Sequence, residues 1–261
     1  MVTNFSTKKQ VKHLAVLIII YLVSIAIYLL MPGGGLEMSS MYTEEALPDV
    51  SNVVLTLANM GMIAVIYFPL GLLGIHLNKK TNLPAVFKED DQSSNLFLRP
   101  MITGLILGVV LVLFDLLTKS FGISNGLTHP PFPSSIFASL NAGIGEEIIF
   151  RLFLMSFWIW LLSWLRNKLF PNKVSRGAIL YAGNIIAALA FAAGHFPTMF
   201  ALLGTTSFSE IPVILVIEII VLNMLVGIIA GKAFTRSGLV AAAGVHFWTD
   251  IVWHVIYGLF V

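Results

Sequence analysis

The sequence predicts an all-α fold, a polytopic membrane helix bundle of seven or eight spans. The first reason is composition, because 57% of the 261 residues are hydrophobic and only 11% are charged, whereas about a quarter of a soluble domain is charged. The second is a mean hydropathy of +0.92. The third is that apolar stretches recur along the whole chain, without strand-like alternation and without an internal repeat.

Seven stretches are long and apolar enough to cross a bilayer, which requires about 20 residues. The first follows a basic N-terminus as a signal peptide would, but it is long and runs into Pro32 and three glycines rather than a cleavage site. We therefore expect it to be retained as a span. The predicted spans are 14–31, 53–75, 100–118, 135–165, 178–200, 211–231 and 238–260.

The fourth span is longer than one crossing requires, so we expect it to tilt or to begin as an interfacial helix. It follows a proline-rich loop, Thr128 to Ser135, in which the prolines exclude a continuous helix. Ser134 or Ser135 is the predicted N-cap, because a serine hydroxyl can accept from the free N–H groups of the first turn.

The basic residues predict the orientation. Of the 15 Lys and Arg residues, 13 lie in the N-terminus and in alternate loops, whereas the loop after the first span is acidic, with Glu37, Glu44, Glu45 and Asp49. By the positive-inside rule the N-terminus is cytoplasmic and the C-terminus external. If the span 211–231 re-enters instead of crossing, the C-terminal side reverses. The 13 are Lys8, Lys9, Lys12, Lys79, Lys80, Lys88, Arg99, Arg166, Lys168, Lys173, Arg176, Lys232 and Arg236.

The fourth span carries three charges, Glu146, Glu147 and Arg151. A charge at bilayer depth costs about 2.5–3.5 kcal/mol on insertion scales, so each must be paired, face a polar cavity or do chemistry. Glu147 and Arg151 are four residues apart and share a helical face, which predicts an ion pair. Glu146 is turned about 100° away and has no partner within its span, which suits a general acid or base. The alternative is a purely structural polar cluster.

Two later spans add histidines. Phe191 and His195 share a face at four-residue spacing, and so do His246 and Asp250. The second spacing can present two ligands to one metal or place a carboxylate beside a histidine to orient it. Each histidine can also be a packing residue with a local hydrogen bond. We expect His254, one turn further on, to be interfacial.

Four other polar residues lie within spans: Asp115, Asn184, Glu218 and Asn223. In the sequence each stands alone. For the two asparagines we expect hydrogen bonds between helices. For Glu218 the sequence indicates no partner, and the one role considered is to support the residues of the site.

The order E-E-x-x-x-R, F-x-x-x-H and H-x-x-x-D on successive late spans resembles the CAAX protease and bacteriocin-processing family of intramembrane endopeptidases. The resemblance covers roughly residues 135–258, including the turn Thr235–Leu239. Asp250 stands where many relatives carry Asn. We accordingly divide the chain into three N-terminal spans without a signature, 1–134, and a protease-like core, 135–261.

The resemblance implies proteolysis inside the membrane. Glu146 would activate a water near His195, His246 and Asp250 would bind a metal or stabilise the oxyanion, and Glu147 and Arg151 would shape the site. A zinc ion held by Glu146, His195, His246 and Asp250 is the expected cofactor, although a metal-free, glutamate-activated water is also compatible with these residues.

The expected substrate is a peptide or small membrane protein in the bilayer of a prokaryotic cell, in peptide maturation or bacteriocin self-immunity. No nucleic-acid partner is expected, because the net charge is only +2 and no basic cluster carries interleaved aromatics. The absence of cysteine excludes thiolate catalysis and cysteine–zinc sites. A non-proteolytic scaffold and a proton-coupled transporter are the alternatives.

Overall fold

The computed structural model describes residues 6–35, 51–121, 129–169 and 173–261, and within these ranges the secondary structure is entirely helical. The acidic residues predicted for the first loop, and Thr128, lie outside the described ranges. The helices are α1 (Thr7–Leu30), α2 (Asn52–Thr81), α3 (Arg99–Ser120), α4 (Ser134–Leu169), α5 (Arg176–Ala193), α6 (Phe196–Leu203), α7 (Val213–Ser237) and α8 (Leu239–Asp250).

Irregular turns interrupt or extend several of these helices. A π-helical turn, Ser94–Leu98, precedes α3, and a second π segment, Ile148–Met155, lies within α4. A 3-10 turn, Phe208–Glu210, precedes α7. Helix α8 continues through the π segment Ile251–Ile256 and the 3-10 turn Tyr257–Leu259.

In the part of the chain that is described, seven helical stretches are long and apolar enough to cross a membrane. They coincide with the seven predicted spans, which are confirmed. The fourth is 36 residues long, as its sequence predicts, and the span predicted at 211–231 forms one uninterrupted helix, α7, from Val213 to Ser237.

Helix α8 lies at the centre of the bundle and packs against α3, α7 and the first part of α4. In the last candidate span, Leu239–Leu259, 56% of the 18-residue apolar stretch is buried, a larger share than in any other candidate span. A side chain on α8 is therefore surrounded by protein rather than lipid, and this burial makes α8 a suitable carrier of His246 and Asp250.

The start of α8 is held by the loop after α2. The N–H groups of Leu239 and Val240 donate to the carbonyls of Ala85 and Val86, both at 2.9 Å, and so satisfy orphan donors of the first turn. The Gln10 side chain of α1 fixes this loop, since its Oε1 accepts from the Val86 N–H at 2.8 Å and its Nε2 donates to the Phe87 carbonyl at 2.9 Å. Helix α1 thus positions the beginning of the last span.

The π segment of α4 is held by α2. Asn78 is fully buried, and its Nδ2 donates to the Ser156 hydroxyl at 2.7 Å and to the Gly74 carbonyl at 2.8 Å. The Ser156 hydroxyl in turn donates to the Arg151 carbonyl at 3.2 Å. At Gly74 the two backbones almost touch, because an added β-carbon would lie 2.2 Å from the Leu152 carbonyl oxygen.

Helices α5 and α7 also pack closely. Asn184 donates from Nδ2 to the Ile228 carbonyl at 3.0 Å, which confirms its predicted bond between helices. The same prediction for Asn223 is wrong, because its Nδ2 donates to the Ile219 carbonyl of its own helix at 2.8 Å. Small residues at Gly227 and Gly231 permit the approach, and a β-carbon on Gly231 would overlap Asn184.

The predicted N-cap of α4 is also wrong. Pro133 is the residue before the helix and makes no side-chain cap. Ser134 already lies in the first turn, and its hydroxyl donates backwards to the Pro131 carbonyl at 2.6 Å and to the Gly33 carbonyl at 2.8 Å. The serine therefore ties the loop down instead of capping the helix.

The Gly74 contact gives a test of this packing. We expect Gly74→Ala to destabilise the protein by about 1–3 kcal/mol or more, because the methyl group meets backbone rather than a flexible side chain. Gly61→Ala in the same helix is the matched control, since its β-carbon would meet no atom within 4 Å and alanine is a better helix former by about 1 kcal/mol. Thermal unfolding in detergent should separate the two variants, and equal melting temperatures would contradict the close α2–α4 contact.

Candidate active site

Glu147 is the hub of a fully buried ionic cluster. One carboxylate oxygen, Oε2, lies 3.2 Å from Arg151 Nε, and the other, Oε1, accepts a hydrogen bond of 3.0 Å from His246 Nδ1. The Glu147 and Arg151 side chains are both 0% exposed. The predicted i, i+4 pair is therefore present, and it extends across the bundle to the last span.

Arg151 is held by charge and by an aromatic ring rather than by aligned hydrogen bonds. None of its three guanidinium nitrogens has an aligned acceptor among the described residues. Its Cζ lies 4.7 Å from the centroid of the Phe191 ring, a cation–π arrangement. One terminal nitrogen, Nη2, faces the backbone of Gly227 on α7.

The Phe191 ring joins the three motifs. It contacts the His195 ring at a centroid distance of 4.8 Å and the His246 ring at 5.4 Å, both edge-on, while Arg151 lies against it from α4. The ring is fully buried. The phenylalanine of the F-x-x-x-H pattern is thus the surface on which both histidines and the arginine pack.

His246 faces a carboxylate through each ring nitrogen. Because the Glu147 carboxylate can only accept, we assign a proton to His246 Nδ1. The second nitrogen, Nε2, lies 3.6 Å from Asp250 Oδ2. One further proton can be shared across this gap, either on the imidazole or on the carboxyl group. This confirms the contact that the i, i+4 spacing predicts.

His195 lies where α5 breaks. Helix α5 ends at Ala193, and α6 begins at Phe196 with Pro197 in its first turn. The His195 Nδ1–H donates to the Phe191 carbonyl at 2.9 Å, so in the neutral ring Nε2 carries the lone pair. This break between two helices brings His195 beside Phe191, although the sequence places it near the end of its span.

Glu146 differs from its neighbour. It is half-buried, and it makes no hydrogen bond or ion pair with the described residues. The site therefore contains one tightly held carboxylate, Glu147, and one carboxylate available to a water molecule, Glu146.

The zinc ion expected at Glu146, His195, His246 and Asp250 stays a prediction. Among the described residues, no three His, Asp or Glu side chains are arranged to hold a metal ion. Both nitrogens of His246 face carboxylates, and His195 Nδ1 donates to a carbonyl. Among the predicted ligands, Glu146 and His195 Nε2 make no hydrogen bond or ion pair with the described residues.

A second polar cluster lies where α3 ends and α8 continues. Asp115, which stands alone in the sequence, pairs with Lys119 at 2.9 Å and accepts from the Tyr257 hydroxyl at 2.5 Å. The Nδ1 atoms of His129 and His254 are 3.1 Å apart. Burial lowers the pKa of His129, so this ring is neutral at neutral pH and can share one hydrogen bond.

Glu218 lies on the α7 side, beside this second cluster. It is 1% exposed, and its Oε1 is 3.5 Å from the Thr118 hydroxyl. The contact links α7 to α3. This hydrogen bond therefore belongs to the α3 side of the bundle, and helical spacing alone does not predict a partner on another helix.

Three polar residues at or near the site carry no signal in the sequence. Asn78 and Ser156 hold the π segment that contains Arg151. Tyr21 of α1 is 7% exposed and packs against Gly145, the residue before Glu146. A tyrosine in an apolar span has no partner at helical spacing, so only the assembled bundle reveals it.

Comparison with known families agrees with this geometry. A protein-family model, described as type II CAAX prenyl endopeptidase Rce1-like, matches residues 128–252. This region of the chain is similar to that family. The matched region contains all six predicted site residues, and the match confirms the resemblance to the CAAX protease family that the motifs indicate. Neither a curated protein nor a solved structure gave a match. Because seven helices among the described residues are long and apolar enough to cross a membrane, the chain is an integral membrane protein.

The buried pair of the Rce1-like region can be tested through stability. Arg151→Leu should cost about 3–5 kcal/mol, because it leaves the Glu147 carboxylate buried with only His246 as partner. The double variant Glu147→Gln with Arg151→Leu should recover much of that loss, since no unpaired charge remains. Thermal unfolding of the purified variants in detergent checks this, and a single variant as stable as the wild type would show that the pair is not dry.

Proposed function

We propose that the chain is an intramembrane endopeptidase that hydrolyses a peptide bond of a peptide or small membrane protein within the bilayer. The observation that carries the proposal is the convergence of three motifs of an Rce1-like region on one buried site, with Glu146 as the carboxylate left unpaired by the described residues. Hydrolysis in a membrane requires a polar site shielded from lipid, and the burial of α8 supplies one.

In the proposed reaction Glu146 acts as general base. Its carboxylate takes a proton from a water molecule while the water oxygen attacks the peptide carbonyl carbon. The tetrahedral intermediate then collapses, the C–N bond breaks, and Glu146 returns the proton to the leaving amine. The products are a carboxylic acid and an amine, so atoms and charge balance without a further reactant.

The developing oxyanion needs hydrogen-bond donors. Asp250 as a carboxylate can only accept, so it contributes a donor only when it holds the proton shared with His246. We infer that this shared proton supports the oxyanion, and that Glu147 and Arg151 keep the imidazole in place. His195, with its Nε2 lone pair, can accept a hydrogen bond from the attacking water.

The proposed substrate class follows from the site's surroundings and from the family description. The family description names a CAAX prenyl endopeptidase, and a prenyl group anchors a chain to a membrane. For this chain we propose peptide maturation, bacteriocin self-immunity or turnover of small membrane proteins in a prokaryotic cell membrane. The scaffold alternative differs in one respect, because it requires no chemistry at Glu146.

Glu146→Gln should reduce proteolysis by about 10²-fold or more, the scale of lost general-base catalysis, with normal expression and unfolding temperature. Membrane-peptide proteomics of cells with wild-type or Glu146→Gln protein would identify the substrate, and the peptide found can then be assayed in liposomes. Asp90→Asn, the same chemical change on an exposed loop residue, is the control. Normal cleavage by Glu146→Gln would favour the scaffold.

The metal requirement is a separate test. Because the ligands do not converge, we expect purified protein to contain no stoichiometric zinc and its activity to survive a chelator. Elemental analysis of wild type and His246→Ala would check this. About one equivalent of zinc that His246→Ala loses, with activity restored by added zinc, would show that the site rearranges to bind a metal.

A further inference from the structure

Glu146 is the polar side chain of the site that lacks a support. Glu147 is fixed by Arg151 and His246, and His195 is fixed through its Nδ1. No described residue donates a hydrogen bond to Glu146. A general base must hold its carboxylate in one orientation towards the water, so the surroundings of Glu146 should contain a donor within reach, directly or through a water.

The hydroxyl of Tyr21 is placed to be this donor. A β-carbon built on Gly145 would lie 2.7 Å from the Tyr21 hydroxyl oxygen and 2.7 Å from Cζ. The phenol group therefore lies beside the backbone of Gly145, and the next α-carbon, that of Glu146, is about 3.8 Å further along the chain. Gly145 permits this approach, because any larger residue would occupy the place of the phenol.

A second tyrosine supports the first. Tyr67 of α2 packs against Tyr21 at a ring-centroid distance of 5.4 Å. A buried tyrosine hydroxyl nearly always has a polar partner, and two phenols can relay one hydrogen bond to a third group. The pair therefore forms a polar connection from the first two spans to the helix that carries Glu146.

We propose that Tyr21, backed by Tyr67, is a positioning residue for Glu146, and that its hydroxyl orients the carboxylate directly or through the attacking water. This inference rests on the proposed function for its catalytic consequence, but not for the contact itself. It assigns a role in the site to α1 and α2, which lie outside the matched region 128–252 and carry no motif.

The contact is tested first by infrared spectroscopy of protein labelled with ¹³C-glutamate and reconstituted in liposomes. The difference between wild type and Glu146→Gln isolates the carboxylate band of Glu146. Tyr21→Phe, which removes only the hydroxyl, should shift this band, and Gly145→Ala should shift it in the same way by displacing the ring. Tyr181→Phe, on an exposed tyrosine of α5, should leave it unchanged. An unmoved band in Tyr21→Phe overturns the proposal.

Kinetics with the peptide identified by proteomics then test the consequence. Tyr21→Phe should lower kcat by about tenfold or more, as expected for a lost hydrogen bond to a charged group, with KM and the unfolding temperature unchanged. Tyr67→Phe should have a smaller effect of the same kind. If Glu146→Gln is inactive but Tyr21→Phe has a normal kcat, the positioning role is wrong. If Glu146→Gln remains active, the proposed function fails, and the infrared band still decides the contact.

Discussion

The buried carboxylate of Glu147 is the constraint on which the rest of the site depends. It meets Arg151 within its own span and His246 on the last span, so it joins two helices where the carboxylate is fully buried. Removing either partner would leave a charge in a medium where that is costly. The same pairing fixes the tautomer of His246 and directs its second nitrogen towards Asp250. The orientation of the last motif is thus a consequence of the first.

The two adjacent glutamates show how one helix can give identical side chains different tasks. A turn of about 100° separates a fully buried carboxylate from a half-buried one. The first has two cationic or proton-bearing partners and serves structure. The second has none among the described residues and is the proposed general base. The spacing to Arg151 and the assembled neighbours, not the residue type, distinguish the two glutamates.

Contacts within a helix could be predicted from spacing, whereas contacts between helices could not. The pairs Glu147–Arg151 and His246–Asp250 follow from the i, i+4 rule, because helical geometry alone brings them together. The bond from His246 to Glu147 and the approach of Tyr21 to Gly145 depend on how distant spans pack, which hydropathy does not specify. Asp115 and Lys119 have the same four-residue spacing, and they too form a pair.

The loop that receives the start of α8 has a consequence for biosynthesis. The first N–H groups of this helix find acceptors only at Ala85 and Val86, and Gln10 holds those residues in place. Because the N-terminal part of the chain is synthesised first, α1, α2 and the loop after α2 can assemble before the last helix is made. The last span would then pack against helices that are already in place, and the proposed active site would be completed only when synthesis ends.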